Sequence, residues 1–177
     1  LHSMKKILFL STCVRGGGAG WSLYSLVKNL DRSRFEPSIV VPATGIFEEL
    51  YRALRVPFME IRHLPERMDS VASAPRHLVG LARAAREIAA FVRTGKFDLV
   101  YCNNMLTKPV GWLAGGMTNR PVIFHCRNIH DTWSRAHFYP LLARSPRVKK
   151  VICNSEAARK TYERWVGGKT VVVHNGV

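Results

Sequence analysis

His125 and Arg127 are the residues best placed to do chemistry. They close a short apolar run that follows Pro121, and alternation along a strand puts both on the same side. An arginine there can hold a phosphate or an acidic group through paired N–H donors. A histidine there can donate or accept a hydrogen bond near neutral pH. The competing reading is a core histidine beside an arginine paired with Asp131. A second candidate is the stretch Gly16-Gly17-Gly18-Ala19-Gly20. Glycines permit positive φ and let an anion approach backbone N–H groups. The helix that follows adds the positive end of its dipole. Gly16, Gly17 and Gly18 are therefore candidate phosphate contacts, against a tight turn needed only for packing. Amides and a hydroxyl form the third group: Asn103 with Asn104, and Asn154 with Ser155. They suit hydroxyl binding, but turn chemistry competes for the asparagines and helix capping for Ser155.

All these residues follow predicted strands. Strands are expected at 7–11, 38–41, 57–61, 97–102, 122–125, 148–153 and 170–174. Helices are expected at 22–30, 46–54, 77–93, 109–114, 133–142 and 156–166. Over 22–30, Leu23, Leu26, Val27 and Leu30 share one face. The clearest helix, 77–93, repeats its apolar positions at three and four, is flanked by Arg76, Arg83, Arg86 and Arg93, and ends at Gly95. The polar stretch 62–75 reads as a surface loop. Alternating units of this kind predict an α/β fold: a Rossmann-like parallel sheet of about seven strands with helices on both faces. In such sheets ligands gather at the carboxyl ends of the strands, where the candidate residues lie.

Composition narrows the alternatives. The chain has 177 residues, 47% of them apolar, enough for one domain with a core. No apolar run is long enough to span a bilayer. The 27 Lys and Arg outnumber the 12 Asp and Glu, giving a net charge of +15, which favours anionic partners without choosing among them. Cys13, Cys102, Cys126 and Cys153 form no C-x-x-C pair, so a zinc knuckle is disfavoured and buried thiols in a reducing cytoplasm are expected. A dinucleotide fingerprint would need a glycine where Trp21 stands and an acidic residue where strand two ends in Val40-Val41-Pro42. Gly168-Lys169-Thr170 imitates a P-loop tail but leads into a strand, and Glu163 occupies the place of its first glycine.

From Met4 onward the chain resembles the N-terminal domain of retaining GT-B glycosyltransferases, glycosyl transferase group 1 or glycosyltransferase family 4. Four stretches carry the resemblance: residues 17–23 (GGAGWSL), 97–104 (FDLVYCNN), 121–128 (PVIFHCRN), and 151–156 (VICNSE) with 173–177 (VHNGV). Gly20 departs from an acidic residue common after Gly-Gly-Ala, and many relatives place a histidine where Arg127 stands. The resemblance implies transfer of a sugar from a nucleotide-diphosphate sugar to a hydroxyl of a glycan or lipid-linked acceptor, with retention and without a cofactor or metal. It implies catalytic roles for His125 and Arg127, donor-phosphate contacts for Gly16, Gly17 and Gly18, and acceptor contacts for Asn103, Asn104, Asn154 and Ser155. Residues 1–3 are expected to be a cloning remnant, 4–174 the acceptor-side lobe, and 175–177 the start of a hinge, with the donor-binding lobe outside this chain. The expected place is the cytoplasm. The arginines of 77–93 leave two readings open, a solvated face or contact with anionic lipid at the inner membrane face. A basic nucleic-acid-binding domain and an unrelated nucleotide-binding enzyme, such as an epimerase, are the alternatives. No zinc-finger, RNP-type or helix-turn-helix signature supports nucleic-acid binding.

Overall fold

The computed structural model describes residues 3–14, 16–43, 45–62, 74–129 and 133–175. Seven parallel strands form one sheet: β1 (Lys5–Leu10), β2 (Phe35–Val41), β3 (Phe58–Glu60), β4 (Leu99–Cys102), β5 (Val122–Cys126), β6 (Val148–Cys153) and β7 (Thr170–Val172). Their order is β3-β2-β1-β4-β5-β6-β7. Among the described residues six α-helices connect them: α1 (Gly18–Lys28), α2 (Ile46–Ala53), α3 (Ala74–Thr94), α4 (Thr107–Thr118), α5 (Trp133–Ala143) and α6 (Glu156–Val166). This is the Rossmann-like α/β architecture that the alternation predicts.

The sheet separates two cores. On one face Leu23 and Val27 of α1 and Phe47 and Tyr51 of α2 pack against Ile7, Phe9, Ile39 and Val41. On the other, Ile88 of α3, Val110 of α4, Tyr139 of α5 and Tyr162 of α6 pack against Leu8, Leu10, Val100, Phe124 and Val151. The chain therefore winds one way from β1 to β3 and the other way from β4 to β7. The reversal lies between β1 and β4, paired from Ile7↔Leu99 to Leu10↔Cys102. The loops leaving these two strands diverge there and open a crevice.

Several boundaries move from the sequence expectation. Strand β2 begins at Phe35 and contains Pro37. Strand β3 pairs only with Ile39, Val40 and Val41, so Pro37 lies beyond its reach, at a free edge where a missing N–H costs no ladder bond. Helix α1 begins earlier, at Gly18, and Leu26 is exposed rather than part of the buried face. Helix α3 starts at Ala74, taking Pro75 into its first turn, where proline is tolerated. Gly95 follows the end of α3 because a Cβ there would lie 2.4 Å from the Phe97 ring, and Lys96 takes the left-handed conformation. Arg15, residues 63–73 of the expected loop, Asp131 and the hinge residues Gly176 and Val177 lie outside the described residues.

Candidate functional site

The loop after β1 leads into α1 through two glycines in the left-handed region, Gly16 at φ 97° and Gly17 at φ 99°. A side chain would strain either position. Gly17 is the N-cap of α1, and a Cβ added at Gly17 or Gly18 would meet nothing within 4 Å. The space beside the first turn is thus open, and no acidic residue stands in that turn. Such an end attracts an anion.

Asparagines at the end of β4 fasten this loop to the sheet. Asn103 is fully buried, and its amide nitrogen donates to Ala19 O at 3.1 Å and Ser11 Oγ at 3.4 Å. Asn104 donates to Thr12 Oγ1 at 2.8 Å, while its Oδ1 accepts from the Thr107 N–H at 3.3 Å where α4 begins. Ser155 caps α6, accepting from the Ala158 N–H at 3.2 Å. Asn154 donates to Arg127 O at 3.2 Å and remains half-buried.

Arg127 gathers these parts. Its guanidinium donates to Asn103 Oδ1 at 2.9 Å, Asn103 O at 3.3 Å, Ser22 Oγ at 2.6 Å and Asn175 Oδ1 at 3.4 Å. Every one of these acceptors is neutral. Among the described residues no carboxylate lies within salt-bridge distance of Arg127. Burial lowers its pKa from the ordinary guanidinium value, though arginine keeps its proton. His125, two residues earlier, lines the same cleft, of about 820 Å³, between α1 and the ends of the central strands. Trp21 and Ser22 of α1 form the opposite wall. Burial lowers the His125 pKa to about 3, and the neighbouring cations Arg127 and Lys108 add to the shift. The imidazole is neutral at physiological pH.

The structure thus brings His125 and Arg127 to one cleft, with Gly18 at its edge. Asn103 and Ser155 have their side chains engaged inside the fold, and Asn104 acts chiefly as a turn residue. The pairing of Arg127 with Asp131 lies outside the described residues. Tyr101 and Ser22 belong to the site without having been singled out from sequence. Ser22 sits in the glycine-rich stretch, but a hydroxyl on a helix carries no mark of its partner. Tyr101 lies two residues before Asn103, and in sequence it reads as an apolar strand residue. Among the described residues no cluster of three His, Cys, Asp or Glu is arranged to hold a metal. Cys102, Cys126 and Cys153 are buried, Cys13 is half-buried, and none of the four is in a disulfide.

A seven-stranded parallel lobe with an anion-seeking crevice at its topological switch is the architecture of one GT-B lobe. The family model for Glycosyltransferase Family 4 matches residues 16–177, and the chain belongs to that family. No curated protein matches the chain. HepE from Anabaena, solved in complex with UDP and glucose, is similar in fold, with a TM-score of 0.72 and 24% identity over 99% of this chain and 45% of that one. A glycosyltransferase from Rickettsia africae has a TM-score of 0.75 and 16% identity over 98% of this chain and 44% of that one. UDP-GlcNAc 2-epimerase from Methanocaldococcus jannaschii has a TM-score of 0.65 and 15% identity over 97% of this chain and 46% of that one. The chain spans less than half the length of each.

Proposed function

We propose that this chain is the acceptor-side lobe of an enzyme that moves a sugar from a nucleotide-diphosphate sugar to a hydroxyl of a glycan or lipid-linked acceptor, with retention at the anomeric carbon. The observation that carries this reading is Arg127, a half-buried cation whose partners among the described residues are all neutral, at the rim of the cleft. A desolvated charge of this kind is stabilised by a counter-anion. The donor diphosphate, or an acidic group of the acceptor, supplies one, and stabilising the departing diphosphate is the main electrostatic demand of the reaction. Gly16, Gly17 and Gly18 present the α1 N-terminus to the donor phosphates. Asn154, half-buried at the same edge, is the amide assigned to acceptor hydroxyls, and Asn104 joins it only insofar as its turn contacts leave an amide proton free. Asn103 holds Arg127. A second lobe, joined near residues 175–177, carries most donor contacts.

The test is Arg127→Ala in the complete enzyme, with kcat/KM measured against nucleotide sugars and the fold checked by circular dichroism. Removing one such charged contact is expected to cost about a hundredfold or more. A folded variant with unchanged turnover would remove Arg127 from the mechanism.

The likeness to an epimerase favours a second reading, because the same lobe then serves interconversion of a nucleotide sugar without an acceptor. Product analysis separates the two. Transfer requires an added acceptor and releases nucleoside diphosphate, whereas epimerisation does neither. The basic composition keeps nucleic acid as a further class. Oligonucleotide binding that is tight and falls steeply with salt would support it.

A further inference from the structure

His125 is only 7% exposed, and its Nε2 has no hydrogen-bond partner among the described residues. Its other ring nitrogen is taken. Tyr101 Oη lies 2.5 Å from Nδ1, with the two rings edge to face at 83°. Tyr101 is itself held, 5% exposed, with its ring 4.9 Å from that of Phe9. A neutral imidazole has one donor nitrogen and one acceptor nitrogen. Two arrangements are open. In the first, the phenol donates to Nδ1 and the ring proton sits on Nε2, which leaves one buried group wanting a partner. In the second, Nδ1–H donates to the phenol oxygen. The phenol proton and the Nε2 lone pair then both lack partners in a buried setting. An unsatisfied buried polar group is costly, so the first arrangement, which leaves fewer of them, prevails.

We propose that Tyr101 is a positioning residue that fixes His125 as its Nε2–H tautomer, making His125 a neutral hydrogen-bond donor to an oxygen of the ligand in the cleft. The ligand class rests on the transferase reading above; the tautomer does not. The division of labour follows from the chemistry. Arg127 meets the anionic charge, and His125 meets an uncharged or weakly charged oxygen beside it. In this tautomer Nε2 has no free lone pair. His125 cannot then act as the base that takes the acceptor proton, and that proton leaves by another route. The titratable groups around the ring are Tyr101 from β4, Arg127 beyond β5 and Lys108 from α4. Tyr24 and Lys28 of α1 and His174 after β7 line the same cleft. The nearest charges are both cationic, and they oppose protonation.

Imidazole nitrogen NMR on the 15N-labelled 177-residue chain tests this. The His125 signals are assigned by their loss in His125→Gln. The wild-type ring is expected to show a protonated Nε2 and an unprotonated Nδ1, unchanged from pH 8 to pH 5. In Tyr101→Phe the tautomers are expected to mix and the ring to titrate at a higher pH, because Nδ1 has lost its donor. In the complete enzyme the same variant is expected to lose about tenfold in kcat/KM. A wild-type ring carrying its proton on Nδ1 overturns the proposal. So does a Tyr101→Phe ring whose tautomer and titration match the wild type. An inactive complete enzyme would count against the transferase reading and leave the tautomer result standing.

Discussion

Arg127 and Lys108 are both cations without a carboxylate among the described residues, on opposite faces of one sheet, yet their surroundings differ. Lys108 is fully buried; its Nζ donates to Tyr162 Oη at 2.8 Å and lies 5.1–6.0 Å from the ring centroids of Phe124, Tyr139 and Tyr162. Burial lowers its pKa. The aromatic faces supply part of what water has lost, so Lys108 is enclosed in its partners. Arg127 opens onto a cleft, and only it can reach a ligand. Between the two sits His125, whose depressed pKa has a consequence for stability. The unfolded chain binds a proton at this ring near its ordinary value of 6.5, and the folded chain only near 3. Stability is therefore complete above pH 6.5 and falls as pH drops towards 3, by at most about 1.4 kcal/mol per pH unit. Urea unfolding at pH 7 and pH 5 should show about 2 kcal/mol less stability at the lower pH from this group, and His125→Gln should shrink the difference. An equal pH effect in the variant would place the acid sensitivity elsewhere.

At the scale of elements, tight approaches between neighbours set the geometry of the cleft. A Cβ at Gly20 would lie 2.5 Å from the Phe47 ring, and Phe47 in turn packs edge-on against Trp21, with ring centroids 5.2 Å apart. Helix α1 thus rests directly on α2, and its N-terminus with the glycine loop is fixed in space. This gives a packing reason for glycine at position 20. Gly20→Ala gains at most about 1 kcal/mol of helix propensity, less in a first turn, and overpacking costs about 1–3 kcal/mol. The sum should be destabilising, with a Tm lowered by several degrees in a thermal melt. A raised Tm would mean that Phe47 yields freely. Gly111 plays the matching part on the other face, where a Cβ would meet Cys102 Sγ at 2.2 Å and push α4 off β4.

At the scale of the whole molecule, the charge of +15 is not concentrated at the cleft. Arg32, Arg55, Arg120, Arg144, Arg147 and Lys169 stand in the turns that lead from helix ends into the next strands, at the sheet edge opposite the site. Some of these cations serve the helix C-termini: Lys169 donates to the carbonyls of Ala143, Arg144 and Ser145 at the end of α5. From α3, Arg93 donates to Met117 O of α4 at 2.7 Å. Orphan carbonyls and the negative end of the helix dipole account for such placement without any partner. A further basic patch is the outer face of α3, where Arg76, Arg83 and Arg86, with Glu87 among them, are exposed beside Leu78 and Val79, 65% and 52% exposed. A basic face with protruding apolar residues suits an anionic lipid surface. Among the described residues no helix is long and apolar enough to cross a membrane. We predict that the chain co-sediments with vesicles containing anionic lipid, less so at high salt, and that Arg83→Glu with Arg86→Glu abolishes it. Equal sedimentation of the double variant would assign this face to solvent.

The order of strands and helices was legible in the sequence because hydrophobic period and glycine or proline punctuation are local properties. The same locality placed His125 and Arg127 side by side at a strand end, and marked Gly16, Gly17 and Gly18 as a turn into a helix. The partners of those residues could not be read in this way. Arg127 reaches Ser22, 105 positions away, and Asn103 reaches Ala19, 84 away, because the sheet order sets β1 beside β4 and β4 beside β5. Parallel pairing of distant segments is decided by how the whole apolar surface is buried, and no window of sequence contains that information. The tautomer of His125 belongs to the same class. It depends on a phenol from the neighbouring strand and on burial from all sides, so only the tertiary structure could determine it.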